Sequence, residues 1–432
     1  MLDSYPARQH WLLYGLLYSA LLLLTPRAGF LFDVQFWGAW ATHMGAHGLG
    51  NAYTLATNNY NPLYQYVLYG YARLAGSPQR IEAYVHCLKA VTLLFDVGGA
   101  VVAVRCFGYG DGNQRVLLSL LFLLNVGYLY NTLVWEQVDA IVSTLAFVAV
   151  VQALRQRPVG SLVWLVLALN MKTQAIIFVP PLLLLWVPQW WAAPRRLAQS
   201  LAAGVLAQVL LLLPFMLAGT VPRILATVGG VVGFFPYVSL NCYNVWMFFF
   251  NDFLAFDTER YAGLTYKAWG MLGFFGAATI VLLPLGMATL GKLRTRRIFG
   301  PGDYALALLS MGLIAIVFCF FNTQMHERYW HPALIFLGAH ALCTRRYVLF
   351  GVCSLAYWLN LEAVIHYLGD FSHYPNLLFR PKLVASLFGS VLLGGIWQLY
   401  RMASPWAAWQ QLRRPLRPAA AEVAPSEGVW GA

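Results

Sequence analysis

The sequence predicts an all-α fold: a polytopic transmembrane helical bundle of about twelve spans, with interfacial helices in its first external loop. Three observations predict it. Of 432 residues, 60% are hydrophobic and only 10% are charged, more apolar than a soluble domain with one core needs. The apolar residues fall in runs of bilayer-crossing length, and inside lipid a helix satisfies its own backbone where an open sheet does not. The 28 Lys and Arg residues are sorted by loop instead of scattered, as expected where cytoplasmic loops retain basic residues.

The first span, 11–24, is ended by Pro26. No small-residue cleavage site follows it, so it reads as an anchor and not as a removable signal. A loop from 32 to 64 comes next, FDVQFWGAWATHMGAHGLGNAYTLATNNYNPLY, carrying Asp33, Trp37, Trp40 and an Asn-Tyr-Asn-Pro turn. The apolar piece 63–74 is shorter than the roughly 20 residues a span needs. Its Tyr64, Tyr66, Tyr69 and Tyr71 suit the headgroup level, where a ring has one apolar and one wet end. It is therefore an interfacial helix, and the first external loop is 26–81. Further spans are expected at 82–104, 116–130, 140–154, 159–171, 175–186 and 197–217. A second external loop, 219–261, precedes spans at 262–290, 304–321, 332–342, 348–368 and 383–400. The two short segments flanking Lys172 also fit one bent hairpin. One membrane domain thus covers 1–403, and 404–432, rich in Pro, Ala and Arg without apolar period, is expected to be a disordered cytoplasmic tail.

Charge tests this layout. With the N-terminus inside, the basic clusters at Arg155/Arg157, Arg195/Arg196, 292–297 and Arg345/Arg346 all fall on the cytoplasmic side, and reading 63–74 as a span would put the Arg155 and Arg195 clusters outside. The net charge of +12 is then a topology signal, and no nucleic-acid partner is implied. The six cysteines show neither metal-ligand spacing nor a disulfide framework. No internal repeat marks two related transporter halves.

Ionisable groups at membrane level are costly and need a partner or a task. Four polar groups fall on one outer side: Asp33; the turn Trp135-Glu136-Gln137-Val138-Asp139; Met171-Lys172-Thr173-Gln174; and Met325-His326-Glu327-Arg328-Tyr329. Each has a plainer reading. Asp33 suits a helix N-cap, Asp139 and Lys172 suit a structural ion pair, and His326 and Arg328 suit interfacial anchors beside Tyr329 and Trp330. Lys89 and Asp96 lie two helical turns apart and read as buried structural groups. The histidines show no metal geometry.

In chain order the motifs are Asp33 with Trp37 and Trp40, YNPLY (60–64), WEQVD (135–139), MKTQA (171–175) and MHERY (325–329). This series resembles the GT-C superfamily of integral membrane glycosyltransferases. It is most similar to bacterial mannosyltransferases related to GPI mannosyltransferase II, with a looser likeness to the dolichyl-phosphate-glucose transferases of N-glycan assembly. The usual forms there are YPPLY, WGQxD, a Lys-Pro-Gln element and MHERY. This chain has Asn61 for the first proline, Glu136 for glycine and Thr173 for proline.

The resemblance implies transfer of a hexose, of the mannose or glucose class, from a polyprenyl-phosphate donor to a hydroxyl of a glycan, lipid or protein acceptor, with inversion. An acceptor hydroxyl needs a carboxylate as general base, and the resemblance gives this part to Asp33; Asp139, also counted as catalytic, would with Gln137 orient the sugar or acceptor, or hold Lys172 in place. A departing lipid phosphate is stabilised by fixed cations, which the resemblance makes Lys172 and Arg328, with His326 as a further donor. Trp40, Tyr60, Tyr64, Glu136, Gln137, Gln174, Glu327 and Tyr329 complete the expected substrate-binding set. No cofactor is expected; a divalent metal stays open if Asp33, Glu136 and Asp139 gather. The enzyme is expected to act as a monomer among membrane lipids. Arg far outnumbers Lys, a composition that points to a GC-rich bacterium and hence to an inner membrane with a periplasmic site. The competing reading is a lipid-linked-sugar flippase or secondary transporter, which would place polar groups near the bilayer midplane on broken helices.

Overall fold

The computed structural model describes residues 8–25, 29–230, 233–250, 254–369 and 378–413. Helix makes up 79% and strand 2%, so the fold is all-α. Among the described residues, seven helices are long and apolar enough to cross a membrane, or eight if one bent pair counts as a span. The architecture is compatible with an integral membrane protein.

The chain opens with α1 (Arg8–Leu24). The first connecting region then folds into α2 (Leu31–His47), α3 (Pro62–Ala75) and α4 (Pro78–Tyr84). Pro62 and Pro78 each take a first-turn position, where a missing N–H costs no hydrogen bond. α3 buries Tyr64, Leu68 and Ala72 along one face, the helical spacing of an element lying on the bundle. α5 (Leu88–Phe107) follows. α6 (Gly112–Leu123) and α7 (Val126–Leu133) are bent by 62°, a break that the expected span 116–130 straddles. Asn125 causes it: its side chain accepts the Tyr128 N–H at 3.1 Å, capping a new helix in place of continuing the old one.

α8 (Asp139–Leu154) and α9 (Pro158–Met171) make a hairpin, followed by α10 (Val179–Ala192), α11 (Pro194–Leu217) and α12 (Val221–Gly230). A two-stranded ribbon, β1 (Arg260–Tyr261) with β2 (Leu264–Thr265), leads into α13 (Tyr266–Thr295). The remaining helices are α14 (Tyr304–Phe321), α15 (His331–Thr344), α16 (Val348–Ile365), α17 (Pro381–Met402) and α18 (Pro405–Arg413). The last corrects the expected tail from 404. Trp406 and Trp409 stack at 4.9 Å and Arg413 lies 3.6 Å over Trp409, so ring contacts one helical turn apart support an element that has no apolar period. Residues 414–432 of that tail lie outside the described residues.

α8, α14 and α15 form the centre, buried on nearly every side. α11 and α13 are also apolar enough to cross a membrane but only 22% buried over their most apolar stretch, as expected of helices whose outer faces meet an apolar surrounding. The hairpin α8–α9 defines two ends. At one, Tyr109 and Tyr347 hydroxyls meet at 3.1 Å, Arg345 lies 4.3 Å over Tyr109, and Arg196 donates to the Gln156 carbonyl at 3.4 Å. The basic loops gather there. The opposite end holds Asp139, Lys172 and the segment 322–330.

That end is closed by the loop after α12. The Leu240 N–H donates to the Met325 carbonyl and the Gln324 N–H to the Tyr237 carbonyl, both at 3.0 Å. Asp257, fully buried, accepts from Thr323 Oγ1 and Gln324 Nε2 at 2.7 Å each. Removing one partner of such a bond leaves the other buried and unpaired. Asp257→Ala is expected to lower stability by about 1–3 kcal/mol and to raise hydrogen exchange across 322–330, measured by chemical denaturation and exchange mass spectrometry.

Candidate functional site

Asp33 is the third residue of α2, while Phe30 holds the N-cap position without a side-chain bond. The capping role weighed for Asp33 is therefore absent, although a first-turn acid still meets the favourable end of the helix dipole. The start of α2 is fastened to the 134–139 turn, because the Gly29 and Phe30 N–H groups donate to the carbonyls of Val134 (2.9 Å) and Trp135 (3.2 Å). From that turn Gln137, fully buried, donates its Nε2 to the Asp33 carboxylate and accepts the Tyr60 hydroxyl on Oε1 at 3.2 Å.

Lys172 leaves the end of α9 in an extended conformation, and its Nζ meets Asp139 Oδ1 at 2.6 Å. The structural ion pair weighed for these two is formed. Asn131 Nδ2 stands 3.4 Å from the other Asp139 oxygen. Lys172 Nζ also lies 5.8 Å from the ring centres of Tyr60 and Tyr329, within range of cation–π attraction. Arg328 Nη1 donates to Glu327 Oε1 at 2.9 Å, and the Tyr357 hydroxyl donates to the Arg328 carbonyl at 3.2 Å. Arg328 Nε is buried without a partner. Both cations lie within electrostatic reach of Asp33. The fold thus brings Asp33, Tyr60, Gln137, Asp139, Lys172, Arg328 and Tyr329 to one place from five separate stretches of chain.

Other members of the expected set stand elsewhere. Trp40 is buried against Tyr60 at 5.4 Å with its Nε1 on Thr57 Oγ1, and Tyr64 is buried behind Tyr60 and Trp37. They support Tyr60 instead of facing open space. Gln174 joins Tyr329 as a polar member of an apolar crevice lined by Val142, Phe178, Phe318 and Pro332. His326 packs edge-on to Phe235 at 5.9 Å, and its Nδ1 is 3.8 Å from Glu327, too far for a hydrogen bond.

Glu136 turns away from the cations. Its carboxylate is held by Lys89 Nζ at 3.0 Å and His86 Nδ1 at 2.6 Å. With Asp139 taken by Lys172, the three acids considered as a metal set do not gather. Among the described residues no three His, Cys, Asp or Glu side chains are placed to hold a metal ion.

Two of the three departures, Asn61 and Thr173, meet in space, and the third, Glu136, has an unusual backbone angle. Asn61 Nδ2 donates to Thr173 Oγ1 at 3.1 Å and to the Leu169 carbonyl at 2.8 Å, so the two positions where prolines are usual hydrogen-bond each other. Glu136 has φ 65°, in the left-handed region that glycine enters without steric cost.

Two loop groups are shifted by their surroundings. Burial alone would raise the Glu327 carboxyl, but His326 and Arg328 beside it hold it below its ordinary value. Burial, then Arg328, depresses the His326 imidazole. A depressed group contributes stability above its unfolded-state pKa and loses it as pH falls through the folded one. Stability is therefore expected to fall as pH drops below about 6.5. His326→Gln should remove the upper part of that slope, leaving the Glu327 part at lower pH; thermal melting from pH 4 to 8, roughly the His and carboxylate range, measures both.

Sequence reasoning also passed over a buried pair. Asp96 and His331, both fully buried, stand 3.8 Å apart, and among the described residues no hydrogen bond reaches either carboxylate oxygen or either ring nitrogen. Tyr128 stacks on His331 at 5.4 Å. Asp96 was noticed, but as a neighbour of Lys89; the His331 contact joins positions too distant in the chain for spacing to reveal. No protein-family model matches this chain, and no curated protein matches it.

Proposed function

We propose that the protein is a membrane glycosyltransferase of GT-C type. It moves a hexose from a polyprenyl-phosphate donor to an acceptor hydroxyl on the non-cytoplasmic face of a bacterial inner membrane. The topology is a twelve-span one, in which α1, α8, α9, α15 and the bent α6–α7 pair cross alongside the seven long helices. One observation carries the chemistry: Asp33, bonded by the Gln137 amide and, among the described residues, by no cation, lies within electrostatic reach of Lys172 and Arg328.

In the reaction the acceptor oxygen attacks the anomeric carbon as its proton passes to the Asp33 carboxylate. The bond from that carbon to the phosphate oxygen breaks with inversion, and the polyprenyl phosphate leaves with the electron pair. Lys172 spends one of its three N–H donors on Asp139, and Arg328 keeps Nε beyond its bond to Glu327, so both retain donors for phosphate oxygens. Asp139 and Glu327 keep the cations charged and aimed in a low-dielectric setting. Purified protein given polyprenyl-phosphate mannose or glucose and a glycan, lipid or protein acceptor should release polyprenyl phosphate, read by mass spectrometry. Absence of turnover on both donors would refute the proposal.

The Asp96–His331 pair favours a second reading, a proton-coupled transporter or flippase, since unpartnered ionisable groups within a span suit ion coupling. Proteoliposomes that move a lipid-linked sugar, lose this with Asp96→Asn and show no transferase turnover would select it.

A further inference from the structure

The 134–139 turn carries both groups that hold the site's acids and cation, Gln137 on Asp33 and Asp139 on Lys172. Immediately before Gln137, Glu136 occupies a conformation that side chains bearing a Cβ rarely adopt. It is also 2% exposed, and a buried carboxylate is tolerated only when paired and hydrogen-bonded. Both requirements are met from one direction. Lys89, itself 6% exposed, bonds Glu136 Oε1 at 3.0 Å and reaches the Leu133 carbonyl at 3.5 Å, and His86 bonds Oε2 at 2.6 Å. Both come from the α4–α5 junction. On the other side Glu136 is packed against Gly29, where an added Cβ would sit 2.9 Å from Oε2.

We infer that Lys89, with His86, is a positioning residue: through Glu136 it fixes the backbone of the turn and so places Gln137 against Asp33. The inference rests on the transferase reading for its activity readout, and has a second readout that does not. In this chain an ionic clamp on a strained residue does what a glycine could do alone, since glycine takes the same φ without strain and leaves no carboxylate to neutralise. Lys89 and Glu136 should then be dispensable together and not separately, because breaking a buried pair strands one charge whereas removing both strands none.

The test compares Lys89→Met, Glu136→Gly and the double variant in full-length protein, by donor kcat and KM and by thermal midpoint. Each single variant is expected to lose about 10-fold or more in kcat, with KM within about 3-fold, and to melt below wild type. The double variant is expected to regain kcat to within about 3-fold of wild type together with its melting temperature. A double variant as poor as the worse single one in both measurements would overturn the inference. If wild type itself turned over neither polyprenyl-phosphate hexose, the transferase reading would fall. The melting cycle would still decide the clamp: recovery in the double supports it and no recovery overturns it.

Discussion

Asp33→Asn is expected to lower kcat by about 10²–10⁴-fold, the range that a positioned general base contributes. The substitution keeps size and shape, and an amide oxygen still accepts the Gln137 Nε2 proton. Asp33 is only half-buried, so its loss strands no deeply buried charge. Folding should therefore be near wild type, and the deficit should appear in kcat with the KM for donor little changed, because the proton is transferred only in the transition state. Comparison of turnover with thermal melting on the same preparation checks this. A variant retaining more than about a tenth of wild-type kcat would remove Asp33 from the base role.

The second large effect separates folding from chemistry. Lys172→Met leaves Asp139, 2% exposed, as a buried carboxylate without its cation, at a cost of roughly 3–5 kcal/mol. Turnover should vanish with it. Adding Asp139→Asn removes the stranded charge, so most of the lost stability should return. Activity should not return, since nothing then meets the departing phosphate from that side. Denaturation and turnover measured across the two single variants and the double one test both halves. Recovery of activity along with stability would reduce Lys172 to a scaffold residue.

Much of the fold is legible because long apolar runs favour helices, which satisfy their own backbone. Apolar runs give nearly every long helix, and the piece 63–74 is a separate short helix, Pro62–Ala75. The errors came where a local polar contact outranked the pattern: Asn125 splitting one expected span, or the Trp406–Trp409 stack ordering a stretch without apolar period. The site was legible to the extent that neighbours in space were also neighbours in a motif. Glu327 and Arg328 are such a case, whereas Asp139 and Lys172 lie in different motifs and pair through opposite charge. The partners of Glu136 were hidden, because Lys89 and His86 come from a separate helix junction and nothing in their spacing points to residue 136. The tie between Asn61 and Thr173 was hidden for the same reason.

The shortness of the central hairpin has a bearing on how reactants arrive. With 16 and 14 residues, α8 and α9 extend only about 24 and 21 Å against a hydrocarbon layer near 30 Å. If their far ends stand at one face of the bilayer, the Lys172–Asp139 pair stops several ångströms short of the other. A phosphate on a long isoprenoid would then reach it sideways from the leaflet, without being hauled into water. A water-borne acceptor would have to descend through the layer formed by α2, α3 and the loop pinned by Asp257. In the proposed transfer to a water-soluble acceptor, the two reactants would meet by perpendicular routes, and water would have little room to compete as nucleophile.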